Sequence, residues 1–243
     1  MNIFLTGGTG GIGQEIIRAL SDDPDNLIYF TYHHQEAQAR VLEKKHSNAK
    51  PIYCDLSKEE EIKRVRKSLS AVEFDVIIVN AFPKVLWQDF YKTEWQAIEH
   101  NMQVGVRSAF EFIQSFSKAM KKKKRGQIIT ILSSVVLETP PAQMAGYVIA
   151  KYALLGLHNL LAADLTKYGI KIHALSPAMV KTDFISLLPE HYVTLTRESM
   201  PGKELISPQD IANRVQSLMK DAAQIQNGAN IPLRQTERSL HGL

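Results

Sequence analysis

The sequence predicts an α/β fold: a doubly wound sheet of about seven parallel strands with helices on both faces. Three observations carry that expectation. Short apolar runs alternate with helix-period patterns from one end of the 243 residues to the other, which is how βαβ units and a parallel sheet read in sequence. A glycine cluster sits between the first apolar run and the first helical pattern, where a doubly wound sheet binds its ligand. No repeat, low-complexity tract or Pro/Gly/Ser linker divides the series, so residues 1–243 read as a single domain.

The expected strands are Asn2–Thr6, Leu27–Tyr32, Pro51–Cys54, Val76–Asn80, Gln127–Leu132, Lys171–Leu175 and Asn230–Leu233. Between them Ile12, Ile16 and Leu20 recur at helical spacing, as do Ile62, Val65 and Leu69. Ser57 with Glu60 and Thr93 with Gln96 read as capping boxes, and Ser207-Pro208 as an N-cap followed by proline at the first helical position. Residues 181–206 form the longest stretch without a core pattern, and a stretch of that length in a compact domain reads as a substrate lid or binding loop.

Composition narrows the classes. The chain is 44% hydrophobic and 22% charged, ordinary for a soluble globular protein. No uninterrupted apolar stretch approaches the roughly 20 residues that span a bilayer. The start, Met1-Asn2-Ile3-Phe4, has no basic leader, so no targeting peptide is expected. One cysteine, Cys54, permits no internal disulfide and fits a reducing cytoplasm. A net charge of +4 is too mild to call for nucleic acid, and no metal-ligand spacing appears. Much of the positive charge lies in Lys121–Arg125, which reads first as a solvated helix end whose cations suit the helix dipole.

The run Thr6-Gly7-Gly8-Thr9-Gly10-Gly11-Ile12-Gly13 opens a helix directly after the first strand. Glycines there allow a tight turn and close approach of backbone to a pyrophosphate, while the helix N-terminus offers free N–H groups. This is a dinucleotide-binding signature of the Rossmann type. The second strand ends Tyr32-His33-His34, with no carboxylate placed to hold a ribose 2′-hydroxyl. That favours NADP over NAD, with His33 as a donor to a 2′-phosphate or, alternatively, an exposed loop residue.

Tyr147 and Lys151 are four positions apart and share one helix face. A tyrosine near pKa 10 is a poor acid–base group at neutral pH; a neighbouring ammonium stabilises its phenolate and brings it into range. Ser134 lies thirteen positions before Tyr147, just past the fifth strand.

Taken together these residues resemble the short-chain dehydrogenase/reductase family across nearly the whole chain. The Thr-Gly-x-x-x-Gly-x-Gly fingerprint matches residues 6–13, and the Ser and Tyr-x-x-x-Lys elements match Ser134, Tyr147 and Lys151. The resemblance implies a catalytic set of Asn101, Ser134, Tyr147 and Lys151, with Ser133 the competing hydroxyl. Ser134 would bind the substrate oxygen, Tyr147 would pass it a proton, Lys151 would hold the nicotinamide ribose and tune Tyr147, and Asn101 would hold a water. It further implies cofactor contacts from Thr6, Gly7, Thr9, Gly11, Ile12, Gly13, His33, Asp55, Leu56, Asn80, Ala81, Pro177, Val180 and Thr182, besides Tyr147 and Lys151.

Three positions depart from the family pattern. Phe82 follows Asn80-Ala81 where a glycine is expected, Ala178 follows Pro177 where another is, and Ile231-Pro232-Leu233-Arg234 replaces a Gly-Gly after the last strand. The implied activity is hydride transfer between nicotinamide and a carbonyl or alcohol. Similarity to 3-oxoacyl-carrier-protein reductases around Gly126–Thr130 and Ser134–Val136 adds an acyl-thioester substrate, and an acidic carrier docking on Lys121–Arg125 and Lys167. A non-catalytic NADP-binding sensor, disabled by Phe82, is the competing class. The resemblance also implies a homodimer or homotetramer, through residues 93–123 and the Tyr147 helix.

Overall fold

Every strand of the computed structural model, which describes residues 1–234, is parallel to its neighbours. In chain order they are β1 (Asn2–Leu5), β2 (Leu27–Tyr32), β3 (Ala49–Tyr53), β4 (Val76–Val79), β5 (Gly126–Ile131), β6 (Ile170–Pro177) and β7 (Asn230–Leu233). They form one seven-stranded sheet in the order β3-β2-β1-β4-β5-β6-β7. The order reverses between β1 and β4, so a crevice opens beyond their carboxyl ends. Helices α1 (Gly11–Ser21), α2 (Glu36–Lys45), α3 (Glu59–Ser68), α4 (Trp95–Asn101), α5 (Ser108–Lys123), α6 (Ala145–Leu165), α7 (Glu190–Ser199) and α8 (Pro208–Asp221) complete the chain.

Alternation along the strands divides the core between two faces. Ile3 and Leu5 pack with Ile16 and Leu20 of α1 and Ile211 and Val215 of α8. Phe4, one residue away, points the other way, into Ile62 of α3, Phe112 of α5 and Leu154 of α6. Central β4 is buried at all four residues, which is why it reads as an unbroken apolar run rather than an alternation.

The helix starts correct two expectations. Ser207 does cap α8: its Oγ accepts from Asp210 N at 3.2 Å while Asp210 Oδ2 accepts from Ser207 N at 3.0 Å, with Pro208 in the first turn. Ser57 does not cap α3, which starts after Lys58; its hydroxyl donates instead to Asp55 Oδ1 at 2.6 Å. Nor does Thr93 cap α4, because its hydroxyl turns back to the Asp89 carbonyl at 3.0 Å. In both places a nearer acceptor competes for the same side chain.

Two further segments add detail to their sequence reading. Residues 181–206 are not structureless: they hold α7 and short 3₁₀ turns at Asp183–Ile185 and Pro201–Lys203. Lys181 N donates to Ile206 O at 2.9 Å and Ile206 N to Met179 O at 3.1 Å, so the segment leaves and returns at one point. Lys121–Arg125 ends α5 and leads into the first residue of β5, at the amino ends of the strands. There Lys123 pairs with Glu73 at 2.7 Å and Lys121 lies 4.3 Å over the Tyr168 ring. The run is on the side of the sheet away from the crevice.

Candidate active site

A cavity of about 1160 Å³ opens over the carboxyl ends of the strands. There the glycine loop is clamped to the end of β4 by the first residues beyond β1 and β4. Thr6 Oγ1 accepts from Asn80 N at 2.9 Å and Ala81 N at 3.0 Å, and Asn80 Nδ2 returns bonds to the Thr6 and Gly7 carbonyls at 3.0 and 3.1 Å. Gly7 takes a left-handed φ of 70° that a side chain would strain. A Cβ on Gly13 would lie 2.2 Å from Gly7 O, so only glycine lets α1 start this close to the turn. Gly10, the N-cap of α1, offers no side chain to the first-turn N–H groups, and no acid stands in that turn. Uncapped donors facing a cavity suit a pyrophosphate. Thr182 folds over the loop, its Cγ2 2.7 Å from where a Gly11 Cβ would stand.

At the β2 side, His33 Nε2 lies 3.5 Å from Asp55 Oδ2 and its ring stacks on His34 with centroids 3.7 Å apart. Burial lowers His33 below its ordinary value, with Asp55 only partly offsetting it. Burial also works to raise Asp55, but the Ser57 N–H and hydroxyl outweigh it, with help from His33, and leave the carboxyl below its ordinary range. Lys58 Nζ adds a further contact to Asp55 at 3.5 Å. The Asp55 carboxylate is thus engaged by its neighbours.

The α6 side brings Tyr147 and Lys151 to the cavity. Lys151 is buried, and its Nζ donates to the Ile131 carbonyl at 2.9 Å. Burial pushes the ammonium down to about 7. Burial pushes the Tyr147 phenol up to about 12, against a hydrogen bond from the Ser133 side chain. The Lys151 ammonium lies 5.7 Å from the Tyr147 ring centroid. Ser133 and Ser134 both line the cavity, but the hydroxyl that reaches Tyr147 is Ser133, one position before the residue the spacing selects. Consecutive residues leaving a strand point apart, and Ser133 Oγ also caps the 3₁₀ turn Ser134–Val136.

Asn101 sits behind this wall rather than in it. It ends α4, where the helix passes into a π-helical turn, Met102–Arg107, before α5. Its Nδ2 donates to Ala97 O at 2.7 Å, while its Oδ1 is buried with no partner among the described residues. Thr6 and Gly13 are also absent from the cavity wall; they shape the loop that lines it. The remaining expected residues, Gly7, Thr9, Gly11, Ile12, His33, Asp55, Leu56, Asn80, Ala81, Ser134, Tyr147, Lys151, Pro177, Val180 and Thr182, all line one space. The sequence reading missed its apolar wall. Val85, Met144 and Leu188 form a buried cluster, against which Phe184, Ile185 and Tyr192 pack. These residues come from the chain after β4, the turn into α6 and the segment 184–192 that runs into α7, and no period links them.

A family model described as enoyl-(acyl carrier protein) reductase, one of the short-chain dehydrogenase/reductase models, matches residues 7–233. The chain belongs to the short-chain dehydrogenase/reductase family. It is therefore an oxidoreductase of the kind that acts on CH–OH or C=O groups with a nicotinamide cofactor. This dehydrogenase/reductase is 27% identical over 235 residues to the 3-oxoacyl-(acyl-carrier-protein) reductase FabG of Staphylococcus epidermidis, covering 94% of this chain and 95% of that one. Against FabG of Escherichia coli the identity is 28% over 224 residues, 90% of each chain. Dehydrogenase/reductase SDR family member 4 of Mus musculus is 26% identical over 234 residues, 94% of this chain and 84% of its own. Among solved structures, a 3-ketoacyl-(acyl-carrier-protein) reductase from Brucella melitensis complexed with NADH superposes with a TM-score of 0.85 at 20% identity, covering 96% of both chains. A likeness at that identity speaks for the fold.

Proposed function

We propose that this chain is an NADPH-preferring reductase of a ketone or 3-oxoacyl thioester with an apolar body, and that Ser134, Tyr147, Lys151 and Asn101 carry the reaction. The observation that carries the reading is one cavity shared by an uncapped glycine-loop helix and the Tyr147–Lys151 face of α6. A bound nicotinamide dinucleotide supplies or accepts the hydride. The chain's own residues do the rest. Ser134 holds the substrate oxygen by a hydrogen bond. Tyr147, kept protonated by its burial, passes its proton to that oxygen in the reductive direction and takes it back in the oxidative one. Charge on Lys151 favours the phenolate that remains. The unpartnered Asn101 Oδ1 is an acceptor suited to a bridging water behind the site.

The NADP preference is supported by what surrounds β2. No carboxylate ends that strand, the Asp55 carboxylate is already engaged by Ser57, His33 and Lys58, and two imidazoles face the cavity. The apolar wall of Val85, Met144, Phe184 and Leu188 favours an acyl chain or hydrophobic ketone over a sugar. Relatives named for 3-oxoacyl thioesters on a carrier agree with that class. A carrier would not dock on Lys121–Arg125, which lies at the far end of the sheet. A cytoplasmic location and a single domain belong to the same reading. By length and composition α6 and the turn after it, Ala145–Tyr168, could cross a membrane, yet Ala150, Lys151, Leu154 and His158 are buried in the fold.

A carbonyl panel including a 3-oxoacyl thioester, followed by nicotinamide absorbance with NADPH and with NADH, tests the reading. NADPH should bind several-fold tighter than NADH, and Tyr147→Phe should lower kcat at least about 100-fold while leaving NADPH affinity nearly unchanged. Equal cofactor affinities overturn the NADP preference. A Tyr147→Phe enzyme that keeps more than about a tenth of wild-type kcat, with chemistry rate-limiting, overturns the mechanism.

A further inference from the structure

Phe82 occupies the position where the family pattern has glycine, and its ring is wedged among three groups. It meets Tyr147 edge-on, with centroids 5.3 Å apart and planes at 84°. Its face lies 4.3 Å from Lys151 Nζ. Its far edge rests on Gly105 in the π-helical turn, where a Cβ would stand 2.3 Å from Phe82 Cε2. The large residue at 82 and the missing side chain at 105 therefore fit each other.

We propose that Phe82 is a positioning residue for the reaction: its ring face holds the Lys151 ammonium against the Ile131 carbonyl and keeps it charged inside an apolar cavity. An ammonium has three N–H donors, and the Ile131 carbonyl is the one hydrogen-bond acceptor it has among the described residues. An aromatic face attracts a cation through its quadrupole, more strongly when water is excluded. The surroundings supply little else. From α6 the Tyr147 ring centroid lies 5.7 Å from the ammonium, and the end of β5 brings the Ser133 hydroxyl to the Tyr147 phenol. Helix α4 contributes His100 to the cavity wall and sets Asn101 against Gly146. Among the described residues no carboxylate offsets the burial of Lys151, which drives it toward neutrality. A neutral Lys151 cannot favour the Tyr147 phenolate, so the ring acts on the phenol through the lysine.

The consequence for turnover rests on the acid–base reading of Tyr147 and Lys151, but the first test does not. Lysine labelled with ¹³C at the ε-carbon, titrated by NMR in the cofactor-free protein with Lys151→Arg for assignment, reports the Lys151 midpoint directly. Phe82→Leu removes the π face and should lower that midpoint by about half to one pH unit. Phe82→Tyr keeps the face and should leave it within about 0.2 units. Gly105→Ala crowds the ring without changing residue 82 and should move it in the same direction as Phe82→Leu. In turnover, Phe82→Leu should shift the oxidative pH–rate profile of kcat to higher pH, with Phe82→Tyr restoring it. A Phe82→Leu midpoint that stays or rises, a Phe82→Tyr midpoint that falls as far, or an unmoved pH–rate profile overturns the inference. Failure of the acid–base reading shows separately, as turnover surviving Tyr147→Phe.

Discussion

Ser133 and Ser134 differ by one position and stand differently toward Tyr147. Spacing from Tyr147 selects Ser134, and the polypeptide gives no sequence signal for which of two adjacent hydroxyls turns toward the phenol. That choice depends on where β5 ends and the 3₁₀ turn begins. Ser133 reaches Tyr147 and holds the phenol down against its burial, so its loss should act through pH. Ser133→Ala should move the oxidative pH–rate profile to higher pH with a few-fold loss near neutrality. Ser134→Ala removes the donor proposed for the substrate oxygen and should lower kcat by about 10²-fold or more at every pH. Steady-state kinetics across pH distinguish them; the larger, pH-independent loss falling on Ser133→Ala would exchange the two roles. The glycine loop was more legible. Gly7 and Gly13 are required by local backbone geometry, a left-handed φ and a close approach to the Gly7 carbonyl, whereas Gly11 is crowded by the Thr182 side chain from far along the chain. The part of Thr6 and Asn80 as a clamp was not legible, because their bonds join residues 74 apart in sequence.

At the scale of elements, all seven expected strands are present, because each is a short apolar run bounded by a turn. Caps were less legible: Ser207 behaves as its sequence implies, whereas Ser57 and Thr93 find nearer partners in Asp55 and the Asp89 carbonyl. One tie between elements bears on stability. His158 of α6 and His173 of β6 are both buried, and His158 Nε2 lies 3.1 Å from the Gly228 carbonyl in the turn before β7. Burial holds both imidazoles below the ordinary 6.5. An unfolded chain gains these protons near 6.5 and the folded one resists them, so the stability they carry is full above that pH. It declines as pH falls from there through their folded values, by up to about 1.4 kcal/mol per pH unit for each histidine. Chemical denaturation between pH 7 and 5 should show that decline, and His173→Gln should flatten it. An unchanged slope in the variant would move the acid sensitivity elsewhere.

Across the whole molecule, the sheet separates two charged and apolar districts by its polarity. The cavity lies at the carboxyl ends of the strands and Lys121–Arg125 at the amino ends, so a run that suggested a docking site in sequence sits at the opposite end of the sheet from the cavity. A different surface stands unpartnered. Ile149, Tyr152 and Leu160 of α6 are 43%, 43% and 53% exposed, and Phe110 of α5 and Trp95 of α4 are 45% and 67% exposed. Leu157 of α6 joins Phe110, Met102 and Val106 along one groove. Single exposed apolar residues are common, but a cluster across adjoining helices marks an association surface. The resemblance implies association through these helices, and a second copy of the same apolar face would cover it by two-fold symmetry. Light scattering after size exclusion should therefore give a dimer or tetramer at micromolar concentration. Phe110→Asp with Ile149→Asp should shift it toward monomer and lower the Tm, since burying two carboxylates against each other's copies is costly. The opposite face of α6 carries Lys151 and its first turns carry Tyr147, so turnover should fall with dissociation and recover as protein concentration rises. A double variant that keeps its size, or a monomer with full activity, would detach the site from assembly.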